Sequence, residues 1–427
     1  MNPSQTWPIP TTQIDAGTAA TGVQALTGKA TCDVHIAYVL YMTRDPQGEA
    51  ATASTAVFIP SGDASVCSGS RPVVLYAHGT TTEKGFNMAD IANNDEGSLA
   101  AAMFAAQGYI VVAPNFLGYD LSSLSYHPYL NAEAQAVDMV DGLRAASTFL
   151  KAHSSVQPSS QLFVTGYSEG GHVAMATQKV IERDYTSEFT VTAAAPMSGP
   201  YNLTRFVGQI LASPDYCTGV GSSDPNCAVS VGGTLFAPLL MTSWQKAYGD
   251  VYASPADAYQ APYSDFMESL LPSNSSVEDL MAAGKLPADA TFRKLFGTGG
   301  LYTESFRTTS LANTGSGLLG AAAKNTLLGW TPKAHMALCY SSADPTVFGY
   351  NTTDAQADFA SRNVTVPALN LRGSTTTIAS TLGTQAATLA GAFQATYALP
   401  ANQGNEHSNA APFCAAFVKG FFQNFVQ

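Results

Sequence analysis

The sequence predicts an α/β fold, a mostly parallel sheet with helices on both faces, interrupted by a helical segment. Short apolar runs, typical of strands that are buried on both faces, alternate with helix-like segments up to residue 200. The alternation stops between 201 and 332, where helical patterns and Pro and Gly breaks predominate. An apolar run returns at 336–340, so the sheet is expected to resume there.

The elements can be assigned in chain order from these runs. The predicted strands lie at 34–42, 51–60, 73–77, 109–113, 162–165, 191–195, 336–340 and 392–399. The first two form an antiparallel hairpin around the turn Asp45-Pro46-Gln47-Gly48. Helices are predicted near 98–106, from about 131, after the strand 162–165, from Ser276 and at 411–422.

This pattern divides the chain into three parts. Residues 1–29 form an N-terminal extension, and residues 30–200 and 333–427 form one catalytic core. Residues 201–332 form a helical cap inserted into that core. We therefore expect a doubly wound, mostly parallel sheet with an inserted helical cap.

Composition and charge exclude several classes of partner. Of the 427 residues, 46% are hydrophobic and only 12% are charged, and the net charge is −12. Because no Lys/Arg cluster occurs, nucleic acid and anionic membranes are poor partners. No apolar run approaches the roughly 18 residues of a membrane helix. We expect a monomer that acts on a small-molecule or polymeric substrate.

The six cysteines indicate the compartment. Their even number and wide spacing suit disulfides in a secreted or periplasmic protein, and no metal-ligand spacing occurs. The start Met1-Asn2-Pro3-Ser4 is no signal peptide, so we infer that a leader was removed. The alternative is a cytosolic protein with six free thiols.

Residues 166–172 read Gly-Tyr-Ser-Glu-Gly-Gly-His, directly after the strand 162–165. This Gly-x-Ser-x-Gly pattern between a strand and a helix predicts a sharp turn that exposes the hydroxyl of Ser168. The glycines leave room for strand and helix to approach each other. Ser168 is therefore the predicted nucleophile, the alternative being a Gly-rich turn with an idle Ser.

A serine nucleophile needs a base, which in this arrangement follows the acid in the chain. His407 lies in the polar loop before the helix 411–422 and is the predicted base. His335 would sit at the wrong end of its strand. His172 is carried along the helix after the nucleophile, so we expect it to be structural.

The predicted acid is Asp344, which follows the strand 336–340 in a turn. Catalytic groups collect at such carboxyl ends of sheet strands. Its alternative role is that of an ordinary turn residue before Pro345. Asp354 and Asp358 lie on a helix-like stretch and are expected to face water.

The oxyanion of the tetrahedral intermediate needs two backbone donors. One is the N–H of Glu169, and the other is expected from Thr80 in the loop after the strand 73–77, with Thr81 as the fallback. The Glu169 carboxylate is expected to turn away from the pocket.

Several motifs carry a family resemblance. They are Tyr76-Ala77-His78-Gly79-Thr80, Pro114-Asn115-Phe116-Leu117-Gly118-Tyr119, His127-Pro128-Tyr129-Leu130, Gly166-Tyr167-Ser168-Glu169-Gly170-Gly171, Ala343-Asp344-Pro345 and His407. Together they resemble the secretory lipase family of α/β-hydrolases, which comprises lipases and esterases with a large helical cap. The resemblance covers most of the core from about residue 30 and implies the α/β-hydrolase fold. The cap carries no matching motif, so substrate preference is not implied.

The cysteines are predicted to pair as Cys32–Cys67, Cys217–Cys227 and Cys339–Cys414. The first pair can lie near one end of the hairpin, and the second would close a polar loop at the start of the cap. The third pair joins the strand that presents the acid to the helix after the base. Acid and base must meet, so these two segments must be close.

The sequence thus predicts a serine carboxylester hydrolase of the esterase or lipase type that needs no metal or cofactor. Its cap is rich in aromatic residues, most of which are expected in the cap's own core. Tyr167 and Trp244 are candidates for an apolar acyl or aryl pocket. The alternatives are a serine peptidase or amidase with the same triad, and a binding protein on an inactive hydrolase scaffold.

Overall fold

The computed structural model describes residues 8–213, 229–399 and 402–426. Within these ranges one sheet runs through the molecule. Its strands are β1 (Asp33–Arg44), β2 (Ala50–Ser61), β3 (Ser70–Ala77), β4 (Ile110–Pro114), β5 (Gln157–Tyr167), β6 (Val191–Met197), β7 (His335–Met336), β8 (Leu338–Tyr340) and β9 (Ala368–Asn370). Their order in space is β1-β2-β4-β3-β5-β6-β8-β9, with the short β7 paired to β6. The pairs β1–β2 and β2–β4 are antiparallel and the remaining pairs are parallel.

Helices connect most of the strands. In the described ranges they are α1 (Thr11–Ala20), α2 (Gln24–Thr27), α3 (Asp95–Met103), α4 (Ala132–His153), α5 (Glu169–Asp184), α6 (Leu203–Ala212), α7 (Gly233–Tyr248), α8 (Pro255–Ala258), α9 (Val277–Ala282), α10 (Glu304–Ala312), α11 (Gly317–Asn325), α12 (Tyr350–Ser361), α13 (Thr375–Leu382), α14 (Thr384–Tyr397) and α15 (Glu406–Gln423). Side-chain caps begin two helices where the sequence predicts them. The Asn131 side chain accepts from the Ala134 amide before α4, and the Ser276 hydroxyl accepts from the Asp279 amide before α9.

Two apolar cores lie on opposite faces of the sheet. On one face α4 and α5 pack on the strands through residues such as Val140 and Val173. On the other face α3, α14 and α15 contribute residues such as Met103, Phe393 and Phe422. The central strands are buried on both faces, which explains their uninterrupted apolar sequences.

The last part of the sheet differs from the sequence prediction. Residues 392–399, predicted as a strand, lie mostly in α14, where Ala390 and Phe393, three positions apart, both face the core. Ala and Gln residues favour this helix. The final strand is instead β9, which is only three residues long and was not predicted.

The helices α6 to α11 lie between β6 and β7 in the chain and have a core of their own, which includes Trp244 and Tyr259. The two ends of this insertion meet. The Leu327 amide donates to the Tyr201 carbonyl at 2.8 Å, and the Thr204 amide donates to the Thr326 hydroxyl at 3.0 Å. We propose that 201–332 is a cap on a core formed by 30–200 and 333–427.

The N-terminal segment is folded onto this core from residue 8 onward. It forms α1 and α2, and Ile9 makes a bridge to Val34 of β1. Residues 8–29 are thus paired to the start of β1 and pack on the core through Ile9, Ile14 and Leu26.

Two of the three predicted disulfides are confirmed. Cys32–Cys67 and Cys339–Cys414 have Cα–Cα distances of 5.4 and 5.5 Å. Cys217 and Cys227 lie outside the described residues. Among the described helices, none has the length and apolar character that crossing a membrane requires.

Candidate active site

Ser168 occupies the sharp turn between β5 and α5. Its backbone has φ 61° and ψ −120°, a conformation that non-glycine residues rarely adopt. A Cβ on Gly166 or Gly170 would lie 2.3 or 2.0 Å from the Ala77 carbonyl oxygen, and one on Gly171 would lie 2.3 Å from that of Met197. Only glycine therefore lets strand and helix approach closely enough to hold this turn.

Ser168, His407 and Asp344 are brought together as one hydrogen-bonded chain. The Ser168 hydroxyl lies 2.8 Å from His407 Nε2, and His407 Nδ1 lies 2.6 Å from Asp344 Oδ2. The carboxylate accepts from Nδ1–H, which leaves Nε2 free to accept from the hydroxyl. Ser168 is partly exposed, while the Asp344 carboxylate is buried.

Asp344 is oriented by its own turn. Its Oδ1 accepts from the amides of Thr346 and Val347 at 2.8 and 3.0 Å. These bonds fix the carboxylate, so that Oδ2 points at the imidazole. The other candidate acids are engaged elsewhere: Asp354 pairs with Arg205, and Asp358 pairs with Arg362.

The two histidines that were rejected as the base, His172 and His335, have partners of their own. His172 is fully buried, and its Nε2 lies 2.9 Å from the Asn325 carbonyl oxygen. Burial lowers the pKa of His172 to about 4, so it stays neutral at ordinary pH. His335 is exposed and stacks on Phe425.

Glu406 links the acid and base segments, and the sequence analysis did not single it out. Its buried carboxylate accepts from Arg372 Nε and Nη2 at 2.9 and 2.8 Å and from the Ser341 hydroxyl. Glu406 precedes His407 at the start of α15, and Ser341 lies three residues before Asp344. Glu406 therefore links the segment of the predicted base to that of the predicted acid through Ser341, and to the loop after β9 through Arg372.

Tyr167, predicted to bind substrate, instead supports the base. Its hydroxyl donates to the His407 carbonyl oxygen at 2.6 Å, and its ring centroid lies 5.0 Å from that of the imidazole. The side chain is 6% exposed and does not line the cavity beside Ser168. Its position indicates a role in fixing the first turn of α15.

The two predicted oxyanion donors lie on adjoining elements. Glu169 is the first residue of α5, so its N–H has no acceptor within the helix. The Thr80 amide has no hydrogen-bond acceptor among the described residues. The helix N-terminus adds partial positive charge at the same place.

The Glu169 carboxylate, whose orientation the sequence does not determine, points toward His127 and Gln135. Its Oε1 lies 2.6 Å from His127 Nε2 and accepts from Gln135 Nε2 at 2.7 Å. Burial acts to raise its pKa, but the charge and hydrogen bond of His127 outweigh burial and bring the pKa below its ordinary value. The group is thus held as a buried carboxylate.

Glu96 supports the loop that follows β3. Both of its carboxylate oxygens accept from the Gly79 amide, at 3.1 and 3.0 Å, and the Tyr76 hydroxyl donates to Oε1 at 2.9 Å. Burial raises the pKa of Glu96 to about 7, although these hydrogen bonds act in the opposite direction. The loop is therefore held by a further buried acid, which no local motif indicated.

An apolar cavity opens beside Ser168, between the core and the cap. It contains about 800 Å³ of empty space, part of it open to solvent. Its walls are mainly aromatic and aliphatic, including Phe206, Phe236, Leu240, Phe296, Tyr302 and Phe306. Such a space can hold a hydrocarbon or aromatic group next to the nucleophile.

Trp244 does not belong to this cavity, so its predicted substrate-binding role is not retained. The side chain is fully buried in the core of the cap, and its indole N–H donates to the Leu130 carbonyl at 3.2 Å. The indole N–H thus has the hydrogen-bond partner that a buried Trp usually needs.

No cluster of three or more His, Cys, Asp or Glu side chains that could hold a metal ion occurs among the described residues.

The profile of the prolyl oligopeptidase family matches residues 96–237, about a third of the chain. No curated protein sequence matches the chain. Among solved structures, the rice cell wall degrading esterase LipA from Xanthomonas oryzae is similar, with a TM-score of 0.81 and 26% identity. That match covers 100% of this chain and 98% of the other.

Two more distant structures show the same fold. A putative hydrolase from Legionella pneumophila matches with a TM-score of 0.71 and 19% identity, over 100% of this chain and 97% of the other. Candida antarctica lipase A matches in its closed state with a TM-score of 0.56 and 13% identity, over 86% and 75%. The chain has the α/β-hydrolase fold, and these structural neighbours are hydrolases.

Proposed function

We propose that this protein is a serine carboxylester hydrolase of the esterase or lipase type. The observation that carries the proposal is the chain of hydrogen bonds from Ser168 through His407 to Asp344 at the mouth of an apolar cavity. The similarity over the whole chain to an esterase of the same fold supports it.

The triad performs the reaction in two halves. Ser168 Oγ attacks the ester carbonyl while His407 Nε2 takes the hydroxyl proton. Asp344 holds Nδ1–H and stabilises the imidazolium that forms. The same proton passes to the leaving alcohol, and a water molecule activated by His407 then releases the acyl group.

The amides of Thr80 and Glu169 are the proposed oxyanion hole. Thr80 lies three residues after the end of β3 and Glu169 begins α5, so little reorganisation is needed when charge develops on the carbonyl oxygen. Removing one such donor typically slows catalysis on the order of 10²- to 10³-fold.

The cavity favours esters of uncharged, apolar acids. Among its described lining residues, Glu169 alone carries a carboxylate and none is Lys, Arg or His, and the Glu169 carboxylate is bonded to His127. The acyl or aryl group would therefore meet only apolar and hydroxyl-bearing side chains. Phe236 and Phe306 of the cap are the proposed determinants of which groups fit.

A peptidase or amidase is the second candidate, because the family profile that matches residues 96–237 is that of prolyl oligopeptidases. The same triad can cleave amides. The described cavity wall offers no free carboxylate to a substrate's amino terminus, which favours the ester.

Secretion or a periplasmic location is proposed from the two disulfides, since such bonds persist in oxidising compartments.

A panel of chromogenic esters tests the function. We expect turnover of apolar acyl or aryl esters, with little cleavage of the matching anilide. Ser168→Ala and His407→Ala should both retain only the residual rate of binding and oxyanion stabilisation, roughly 10³- to 10⁴-fold above water. Anilide cleavage that exceeds ester cleavage would instead support the peptidase, and normal turnover by Ser168→Ala would refute both.

A further inference from the structure

Two sequence motifs that the triad does not use pack against each other, and the second of them lines the cavity beside Ser168 with Tyr129 and Leu130. A Cβ on Gly118, whose φ is +93°, would lie 2.3 Å from the Tyr126 carbonyl oxygen and 2.6 Å from the His127 amide nitrogen. The segments 114–119 and 127–130 are thus in backbone contact. Phe116 and Leu130 also have positive φ, 64° and 51°, which persists only where the surroundings impose it.

His127 has a proton acceptor on each side of its ring. Its Nδ1 lies 2.8 Å from the Leu117 carbonyl oxygen, and its Nε2 lies 2.6 Å from Glu169 Oε1. A carbonyl can only accept, so Nδ1 must carry a proton, and the second proton lies between Nε2 and the carboxylate. The His127–Glu169 pair is therefore fully buried and has no net charge.

This pairing bears directly on the neighbouring backbone. The residue whose side chain forms the pair also supplies one proposed oxyanion donor from its own N–H. An uncompensated carboxylate there would repel the negative oxygen of the tetrahedral intermediate. Pairing with His127 removes that repulsion and fixes the orientation of Glu169.

The other proposed donor is held from the same segment. The Tyr129 hydroxyl lies 3.1 Å from Thr80 Oγ1. Tyr129 is 5% exposed and lines the cavity next to Ser168 and Glu169. Its hydroxyl thus links the side chain of Thr80 to the segment that also carries His127.

We propose that the segment 127–130 is a positioning element for the oxyanion hole, in which His127 acts through the Glu169 carboxylate and Tyr129 acts through the Thr80 hydroxyl. This inference rests on the proposed hydrolase function. The segment thus contacts the side chains of the two residues, Glu169 and Thr80, whose backbone N–H groups are the proposed donors. The cap residue Trp244 holds the same segment through a hydrogen bond to the Leu130 carbonyl.

The first test separates charge from shape at His127. In His127→Gln the new amide can still donate one hydrogen bond, but the carboxylate loses its compensating charge. We expect kcat to fall about tenfold with little change in KM, because the unpaired carboxylate destabilises the oxyanion, which forms only in the transition state. A boronic acid inhibitor, which mimics the tetrahedral intermediate, should bind more weakly by a similar factor.

Adding Glu169→Gln to this variant should restore most of the lost rate, since no unpaired carboxylate remains. A merely structural role would show no such rescue. A double variant that is no faster than His127→Gln, with both proteins folded by circular dichroism, would overturn the role of this pair.

The second test is a double-mutant cycle. Tyr129→Phe should lower kcat about threefold or more, and it should have no further effect in a Thr80→Val background. Tyr109→Phe is the matched control, because its buried hydroxyl has no partner among the described residues. Independent, multiplicative effects of Tyr129→Phe and Thr80→Val would refute the link.

Labelling of Ser168 by a fluorophosphonate distinguishes failure of the proposed hydrolase function from failure of the proposed role of the segment 127–130. A wild-type protein that is neither labelled nor active on any ester would refute the proposed function and this inference with it. A labelled, active wild type with unaffected His127 and Tyr129 variants would refute this inference alone.

Discussion

Removal of the Cys339–Cys414 disulfide is expected to lower thermal stability and turnover together. Cys339 lies in β8, five residues before Asp344, and Cys414 lies in α15, seven residues after His407. The bond thus joins the elements that present the acid and the base. Replacing both cysteines with Ala tests this without introducing a buried hydroxyl.

The stability loss follows from the length of the closed loop. With 75 residues between the cysteines, chain entropy limits the stabilisation to about 4.5 kcal/mol. For a chain of 427 residues this corresponds to a fall in Tm of about 5 °C. The second disulfide, Cys32–Cys67, closes 35 residues and by the same relation stabilises by about 3.8 kcal/mol.

Cys32–Cys67 is therefore a matched control, similar in stabilisation but located at the first hairpin. Differential scanning calorimetry should show comparable falls in Tm for the two double-Ala variants. At 25 °C only the Cys339/Cys414 variant should lose kcat. We expect less than about a tenfold loss, equivalent to about 1.4 kcal/mol, because Glu406 still links the same segments.

Equal kcat losses in the two variants would show that the effect is general destabilisation. An unchanged kcat in both would show that the hydrogen bond from Ser341 to Glu406 positions acid and base without help from the disulfide.

Three further outcomes are expected. Burial raises the pKa of Glu96 from 4.5 to about 7, so the folded state holds its proton more tightly than the unfolded chain does. The contribution of Glu96 to the free energy of unfolding should therefore fall by roughly 3 kcal/mol as pH rises from about 4.5 to 7. Urea unfolding at a series of pH values should show a flatter dependence of stability on pH for Glu96→Gln, but not for the exposed control Glu278→Gln. Phe236→Ala should shift acyl-chain preference in the ester panel, whereas Trp244→Ala should destabilise by about 3–5 kcal/mol and slow all chain lengths alike. Glu406→Gln should lower kcat about tenfold with little effect on KM, because one charge-assisted link between acid and base segments is lost; an equal rise in KM would contradict this reasoning.

The central strands, and the three residues of the proposed triad that the structure brings together, could be predicted because their signals are largely local. An apolar run identifies a strand buried on both faces, and Gly-x-Ser-x-Gly carries its own turn geometry. Chain order then restricted the acid and base to Asp344 and His407. These predictions needed no knowledge of long-range contacts beyond the parallel order of the sheet.

The predictions that failed depended on such contacts. The three-residue strand β9 has no periodicity to detect, and 392–399 contains Phe and Tyr residues that favour strands in isolation but pack as one side of a helix. The sequence around Trp244 does not indicate whether its side chain lies in the core of the cap or in the wall of the cavity.

The buried acids were also beyond sequence reasoning. Glu169 and His127 are 42 residues apart, and Glu406 and Arg372 are 34 apart. Neither separation has a pattern that would single out the pair. Only the folded chain brings Glu169 within hydrogen-bond distance of His127 and Glu406 within that of Arg372.

The meeting of the two ends of the cap has a consequence for how such proteins diversify. A backbone hydrogen bond joins Tyr201 and Leu327, so the two points at which the chain leaves and re-enters the core stay close together whatever segment is inserted between them. Loop-closure entropy grows only slowly with the length of an insertion, by about 0.6 kcal/mol for each doubling. Segments of very different size and sequence can therefore be exchanged at this junction by recombination while the sheet is retained. A chimaera that carries a foreign insertion between these two residues would inherit the catalytic machinery of this chain and the selectivity of the donor.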